Sequence, residues 1–194
     1  MGEMVLILGG ARSGKSSLAE RMAEQAGPRV TFIATAQALD EEMRRRIEAH
    51  KSARPPGWRT FEEPLELASM VESASVDSDT ILIDCITVWV SNHLCRINEE
   101  ESSPKWYEEV EALEARLKKQ CERITTIANS SEAIVLLVSN EVGLGLVPDT
   151  PLGRIYRDLI GSINRQIAMK ANKVLLLVAG IPINIKQLAT ETYE

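Results

Sequence analysis

At 194 residues, 44% of them apolar, the chain is long enough to bury one sizeable core and short for two ordinary domains, so a single domain over residues 1–194 is expected. Its 22 basic side chains against 28 acidic ones leave a net charge of -6, which excludes a broad cationic surface for a nucleic-acid duplex or an anionic membrane; phosphate recognition has to be local. Three cysteines, Cys85, Cys95 and Cys121, without CxxC or HxxxH spacing, suggest neither a disulfide framework nor a zinc site, and with no basic leader or bilayer-length apolar segment the expected setting is a reducing cytoplasm.

Short apolar runs at residues 4–8, 30–34, 80–83 and 133–139 alternate with longer amphipathic stretches, the pattern of βαβ units whose strands are buried on both faces. After the second run a helix is expected from Asp40, where Leu39, Met43 and Ile47 repeat every four residues. There Asp40, Glu41 and Glu42 lie one turn before Arg44, Arg45 and Arg46, a charge run that reads as a solvated, mutually paired face. Arg54-Pro55-Pro56-Gly57 and residues 99–104 read as loops within the domain. The longest helix is expected to take Ser103 as N-cap and Pro104 as its first residue, burying Val110, Leu113, Leu117, Cys121 and Ile124 as one stripe. A fifth apolar run, 173–179, is followed by Gly180, Pro182 and an alternation of Ile183 and Ile185 that reads as a turn into a final edge strand. The sum is an α/β fold with five or six strands, mostly parallel, flanked by helices and closed by a C-terminal edge hairpin.

Between the first strand and its helix stands Gly9-Gly10-Ala11-Arg12-Ser13-Gly14-Lys15-Ser16, a match to GxxxxGK[ST] in the context that motif requires. Glycines let backbone N–H groups curl around phosphate oxygens, and the following helix aims the positive end of its dipole at the anion. Lys15 would reach the outer phosphates of a nucleoside triphosphate, and the Ser16 hydroxyl would serve Mg²⁺, a hard ion that prefers oxygen. A second metal oxygen is expected from Asp84, at the end of the run Ile81-Leu82-Ile83, although an Asp after a strand is also a common turn former.

The chain has only two histidines. His50 falls at the end of the short helix, where the helix terminus favours the protonated ring and Lys51 and Arg54 favour the neutral, nucleophilic one; position alone leaves a capping role and a catalytic role both open. His93, after Trp89-Val90-Ser91-Asn92, reads as a satisfied, partly buried helix residue.

Gly9 to Ser16, followed by Ile33-Ala34-Thr35, Asp40-Glu41-Glu42-Met43, Arg46-Ile47, His50-Lys51, Arg54-Pro55 and Trp58-Arg59-Thr60, resembles the cobinamide kinase/guanylyltransferase family of cobalamin biosynthesis. The likeness continues through Asp84-Cys85-Ile86-Thr87, Ser91-Asn92, Ser139-Asn140-Glu141-Val142-Gly143, Val147-Pro148 and Tyr156-Arg157-Asp158 to about Lys186. It implies a RecA-like P-loop fold and two reactions in one domain. ATP or GTP phosphorylates the aminopropanol hydroxyl of adenosylcobinamide, and GTP then gives GMP to the new phosphate through a guanylylated histidine, with loss of pyrophosphate. The position matching that histidine is His50. By the same resemblance Ile33, Ala34, Thr35, Lys51, Ser52, Ala53, Arg54, Glu62 and Asp84 help hold the guanine nucleotide, and the protein assembles as a trimer; because the segment from Gln37 to Lys51 lies outside the expected strands, the helix bearing His50 is expected to swing inward on GTP binding. Ala49-His50 stands where some members have two histidines, and Asp84 where several have Glu. Two other readings of the same residues are a monofunctional P-loop kinase with a structural His50, and a nucleotide-binding switch without turnover. The 140–143 loop and the Arg157-Asp158 pair read either as substrate-handling segments or as structural ones.

Overall fold

The structure is a computed structural model; it describes residues 2–38 and 40–193, and their side chains except those of Arg46, Ala53 and residues 190–193. Each apolar run becomes a strand: β1 (Met4–Gly9), β2 (Val30–Ala34), β4 (Thr80–Asp84), β5 (Ile134–Asn140) and β6 (Lys173–Val178), with β3 (Arg59–Glu62) and β7 (Ile181–Asn184) added at the margins. They form one seven-stranded sheet in the order β3-β2-β4-β5-β1-β6-β7, parallel except for β7 against β6.

Continuous apolar runs are tolerated here because both faces of the sheet are covered. Side chains alternate along a strand, so in β1 Met4, Leu6 and Leu8 face one way while Val5 and Ile7 face the other. The first set joins α3 (Leu67–Ala74), α4 (Ile86–Leu94), α5 (Pro104–Ser130) and α6 (Pro151–Lys170) in the larger core. The second packs on α1 (Lys15–Ala26), whose Ala19 and Ala23 are small enough to bring that helix close to the sheet. The remaining helices are α2 (Glu41–Ala53) and α7 (Ile185–Tyr193).

Local chemistry sets the helix ends. Ser103 accepts from the Trp106 N–H at 3.1 Å, Pro104 opens α5, and all five residues of the expected stripe are buried. Asp40 accepts from the Met43 N–H at 2.7 Å and begins α2, where Arg44 and Arg45 pair with Glu41 at 2.7 and 3.4 Å. Leu39, the first residue of the expected α2 stripe, lies outside the described residues. His93, expected to be partly buried and satisfied, is buried: Leu65 O receives Trp89 Nε1 at 2.7 Å and Gln120 Nε2 at 3.1 Å, and contacts His93 Nε2 at 3.1 Å. Burial pushes that imidazole below its usual range, against the pull of the carbonyl.

Two expectations need correction. The five or six strands are seven, because β3 is an edge strand with all four residues exposed and no apolar alternation; Arg59 is held by Asp77 at 2.5 Å. Ile185 does not continue the last strand. It opens α7, where Asn184 accepts from the Gln187 N–H at 3.4 Å and turns the chain into the helix. Among the described residues no helix is long and apolar enough to cross a membrane.

Leu117 is fully buried at the centre of the α5 stripe. Leu117→Ala is expected to lower unfolding stability by about 2–5 kcal/mol, as urea denaturation would measure; a loss within error of zero would contradict this packing of α5.

Candidate active site

The parallel register brings the expected chemistry to one end of the sheet. Gly9 lies level with Asn140 across one edge of β1 and with Leu177 across the other, while Asp84 lies level with Val138 and Ala34. Between Gly9 and α1 the chain must turn sharply. A Cβ on Gly9 would meet Ser13 Oγ at 2.6 Å and the Leu177 carbonyl at 2.7 Å, and Gly14 takes φ 94°, a left-handed conformation that a side chain would strain. Glycine at both positions therefore follows from space and backbone geometry before any ligand is considered.

The resulting cleft, about 360 Å³, is lined by Arg12, Lys15, Ser16, Phe32, Ala34, Met43, Ile47, His50, Arg54, Asp84, Cys85 and Asn140, among others. A larger hollow of about 590 Å³ beside α5 and α6, lined by Lys118, Glu122, Arg165 and Gln166 among others, has no phosphate loop or candidate nucleophile. The chemistry converges on the first.

Lys15 is 7% exposed and donates to the Gly10 carbonyl at 2.6 Å. Burial pulls its ammonium below the usual range, opposed by the negative character of Cys85 and Asp84. Asp84 shows the complementary case: burial pushes its carboxyl up, while a hydrogen bond from Ser16 and the charges of His50, Arg54 and Lys15 favour the carboxylate. The Ser16 and Asp84 oxygens thus already meet, a hard pair suited to Mg²⁺ completed by phosphate and water. Among the described residues no group of three or more His, Cys, Asp or Glu side chains could hold a metal by itself.

Arg54 lies with its guanidinium carbon 3.6 Å from the centroid of the Phe32 ring, which in turn stacks on Trp58. Its Nε and Nη1 are buried without a hydrogen-bond partner, and so is Ser13 Oγ beside the glycine turn. Desolvation lowers the Arg54 pKa, offset by Asp84, Glu20 and Glu62, yet a guanidinium stays charged at any ordinary pH. Orphaned donors on a fixed cation are what a phosphate oxygen satisfies.

Not every expected residue faces this cleft. Ile33 is fully buried in the opposite core, and Thr35 is spent on the backbone: its hydroxyl donates to the Cys85 carbonyl and accepts from the Cys85 N–H, each at 2.8 Å. Only main-chain atoms of these two are left for a ligand. Lys51 pairs with Glu62, both exposed, and Ser52 donates to the Glu48 carbonyl at 2.9 Å. The Ala53 side chain is outside the described groups. Arg157 pairs with its neighbour Asp158 at 3.8 Å.

Asn140, from the 140–143 loop, lines the cleft, and Glu20 and Phe32 belong to this neighbourhood without having been among the expected site residues. Glu20 follows Ser16 by one helical turn, and burial raises its pKa first, then the charge of Asp84, against His50 and Arg54. The four-residue spacing from Ser16 was the signal available for it.

A glycine-rich turn with a buried lysine between β1 and α1, and an acid at the end of a strand two places along the same parallel sheet, define a P-loop nucleotide-binding protein. The fold resembles the crystal structure of the RadB recombinase, with a TM-score of 0.50 and 18% identity, covering 90% of this chain and 74% of that one. Residues 5–185 match the family cobinamide kinase / cobinamide phosphate guanyltransferase. Over 183 residues the chain is 40% identical to the bifunctional adenosylcobalamin biosynthesis protein CobU of Salmonella typhimurium, covering 94% of this chain and 99% of that protein. It is 38% identical to the CobU protein of Escherichia coli with the same coverage, and 42% identical to the CobP protein of Pseudomonas aeruginosa over 93% of this chain and 96% of that one. The chain belongs to the cobinamide kinase / cobinamide phosphate guanyltransferase family.

Cys85, beside Asp84, and buried Cys121 have thiols pushed up to about 11 and about 12 by burial, whereas Cys95 is exposed. Native protein treated with iodoacetamide at pH 7.5 is expected to alkylate at Cys95, with Cys85 and Cys121 reacting only after denaturation. Peptide mapping decides it; Cys85 labelled as fast as Cys95 would contradict the burial that pushes its thiol up.

Proposed function

We propose that this chain, acting as one domain, phosphorylates adenosylcobinamide with ATP or GTP and then transfers GMP from GTP to adenosylcobinamide phosphate through a covalent His50 intermediate. The observation that carries the reading is that His50 lines the same cleft as Lys15, Ser16, Arg54 and Asp84, in a chain of this family.

In the first reaction the aminopropanol hydroxyl attacks the γ-phosphorus, the bond to the nucleoside diphosphate breaks, and the hydroxyl proton is released. Lys15 and the N–H groups of the Gly9 to Ser16 turn hold the outer phosphates and take up charge on the departing oxygen. In the second, a neutral His50 nitrogen attacks the α-phosphorus of GTP, forming an N–P bond as the bond to pyrophosphate breaks. A phosphate oxygen of adenosylcobinamide phosphate then attacks the same phosphorus, the N–P bond breaks, and His50 is regenerated with adenosylcobinamide-GDP as product. The orphaned donors of Arg54 suit the phosphate chain, and its stacking on Phe32 keeps the cation in place. Mg²⁺, when held by Ser16, Asp84 and the phosphates, supplies positive charge against the leaving oxygens. Backbone atoms of Ile33, Ala34 and Thr35, with Lys51, Ser52, Ala53 and Glu62, are assigned to the guanine nucleoside; the carboxylate of Glu62 suits the paired N1 and N2 donors of guanine. In this reading α2 swings inward to bring exposed His50 onto the α-phosphorus, and the protein works in the cytoplasm.

The same reading extends to a homotrimer. Self-association is supported by β7, an edge strand, and by Val178, Ile181 and Ile183 around it, which are 57%, 66% and 40% exposed.

Incubation with GTP labelled at the α-phosphate and Mg²⁺, without corrinoid, is expected to give a GMP adduct on the His50 peptide, labile to acid and stable to base, and none in His50→Ala. No adduct in a protein that still binds GTP would leave a monofunctional kinase. Light scattering is expected to give three times the chain mass, falling in Ile181→Lys; a monomeric wild type would remove the trimer.

A further inference from the structure

The segment between β5 and α6 is tied down at both ends and apolar between. Glu141 donates its backbone N–H to the Gly9 carbonyl at 3.1 Å, fastening the segment to the phosphate-loop strand, and its carboxylate accepts from the Gly143 N–H at 2.7 Å. At the other end Arg154 donates to the carbonyls of Pro148 and Asp149 at 3.1 and 2.8 Å. Between these ties Leu144, Leu146 and Val147 are 85%, 96% and 62% exposed, and residues 142–148 carry no charged side chain. Large apolar side chains held in water on an anchored loop beside a reaction cleft mark a contact surface.

We propose that Leu144, Leu146 and Val147 form the platform on which the body of the corrinoid acceptor rests, an assignment that depends on a corrinoid being the acceptor of the reactions above. Size points there. The cleft holds about 360 Å³, the low end of the range for small-ligand pockets and enough for a nucleotide. A corrin macrocycle with its side chains is bulkier than the nucleotide, and only its aminopropanol arm has to reach phosphorus. The ring therefore lies outside the cleft, against the rim. Asn140 lines the cleft and the apolar segment leaves from the next residue, so this loop is continuous with the reaction site. On α2, by contrast, Glu41, Arg44 and Arg45 are exposed and paired with one another, a poor surface for a methyl-bearing ring. The uncharged loop takes the apolar edge of the macrocycle while its amides stay in water.

The test uses the full chain with Leu144→Ser and Leu146→Ser combined, and the kinase step measured with adenosylcobinamide varied at saturating ATP. The KM for the corrinoid is expected to rise at least about tenfold. The KM for ATP, the GMP labelling without corrinoid, the melting temperature and the light-scattering mass are expected to match the wild type. Leu144→Met with Leu146→Met, which keeps the apolar surface, is expected to restore a near wild-type KM. An unchanged corrinoid KM in the serine variant overturns the platform, as does a fall in oligomer mass with both activities lost, which would make the loop a contact between copies. Absence of GMP labelling in the wild type would sink the His50 assignment instead, and the corrinoid KM of the kinase step would still decide the platform.

Discussion

The parallel hydrogen-bond register of β4, β5 and β1 is the constraint from which the site follows. Because Gly9 is level with Asn140 and Asp84 with Val138, the phosphate turn, the acid and the polar end of β5 must come out at one edge of the sheet. A slip of one residue in β4 would send its side chains to the opposite face and bury Asp84 among the helices of the larger core. That register is strongly specified here, since both faces of β1, β4 and β5 pack against apolar side chains and each position has only one compatible side.

The same sheet edge is held together by bonds that make no use of a ligand. Thr35 and Cys85 exchange two 2.8 Å bonds between the ends of β2 and β4, Asn92 donates to the Thr35 carbonyl at 2.8 Å, and Asn140 donates to the Thr87 hydroxyl at 3.1 Å. Buried polar groups satisfied in this way rigidify the floor of the cleft. Among the buried side-chain atoms left without a partner, Ser13 Oγ and two nitrogens of Arg54 stand at the phosphate turn and the cleft and are suited to phosphate. The cleft also resolves an apparent conflict of charge. The chain carries a net -6, yet the positive charges of Lys15 and Arg54 act on Asp84 within one small volume, so phosphate attraction is local.

What could be read from the chain follows the physics of each segment. The buried strands, the α5 cap at Ser103 and the glycine turn were legible because they rest on local rules: continuous apolar runs, an oxygen before a helix, backbone space for phosphate. Edge strand β3 was not, since a strand exposed along its whole length owes its form to pairing with β2 and to Arg59 being anchored by Asp77, neither of which leaves a periodic trace. Ile185 was misread because alternation over two residues cannot outweigh the helix start that Asn184 provides. At the site, Lys15, Ser16 and Asp84 could be named from motif and position. The stacking of Arg54 on Phe32 could not, because it joins residues from two elements whose approach only the folded sheet determines.

Two transfers to or from one nucleotide site ask for different attacking groups at different phosphorus atoms. In the proposed pose the γ-phosphorus lies deepest along the Gly9 to Ser16 turn and needs only an acceptor hydroxyl and charge stabilisation, so rigid strand ends suffice. The α-phosphorus then lies toward the mouth, where a nucleophile must come from outside the sheet. In the proposed mechanism the exposed histidine in the last turn of α2, followed by Arg54 stacked on Phe32, puts the nucleophile on a helix none of whose described side chains is buried. On that proposal a rigid floor and a lightly packed helix divide the labour, the helix advancing for guanylylation and withdrawing for the acceptor without disturbing the phosphate turn.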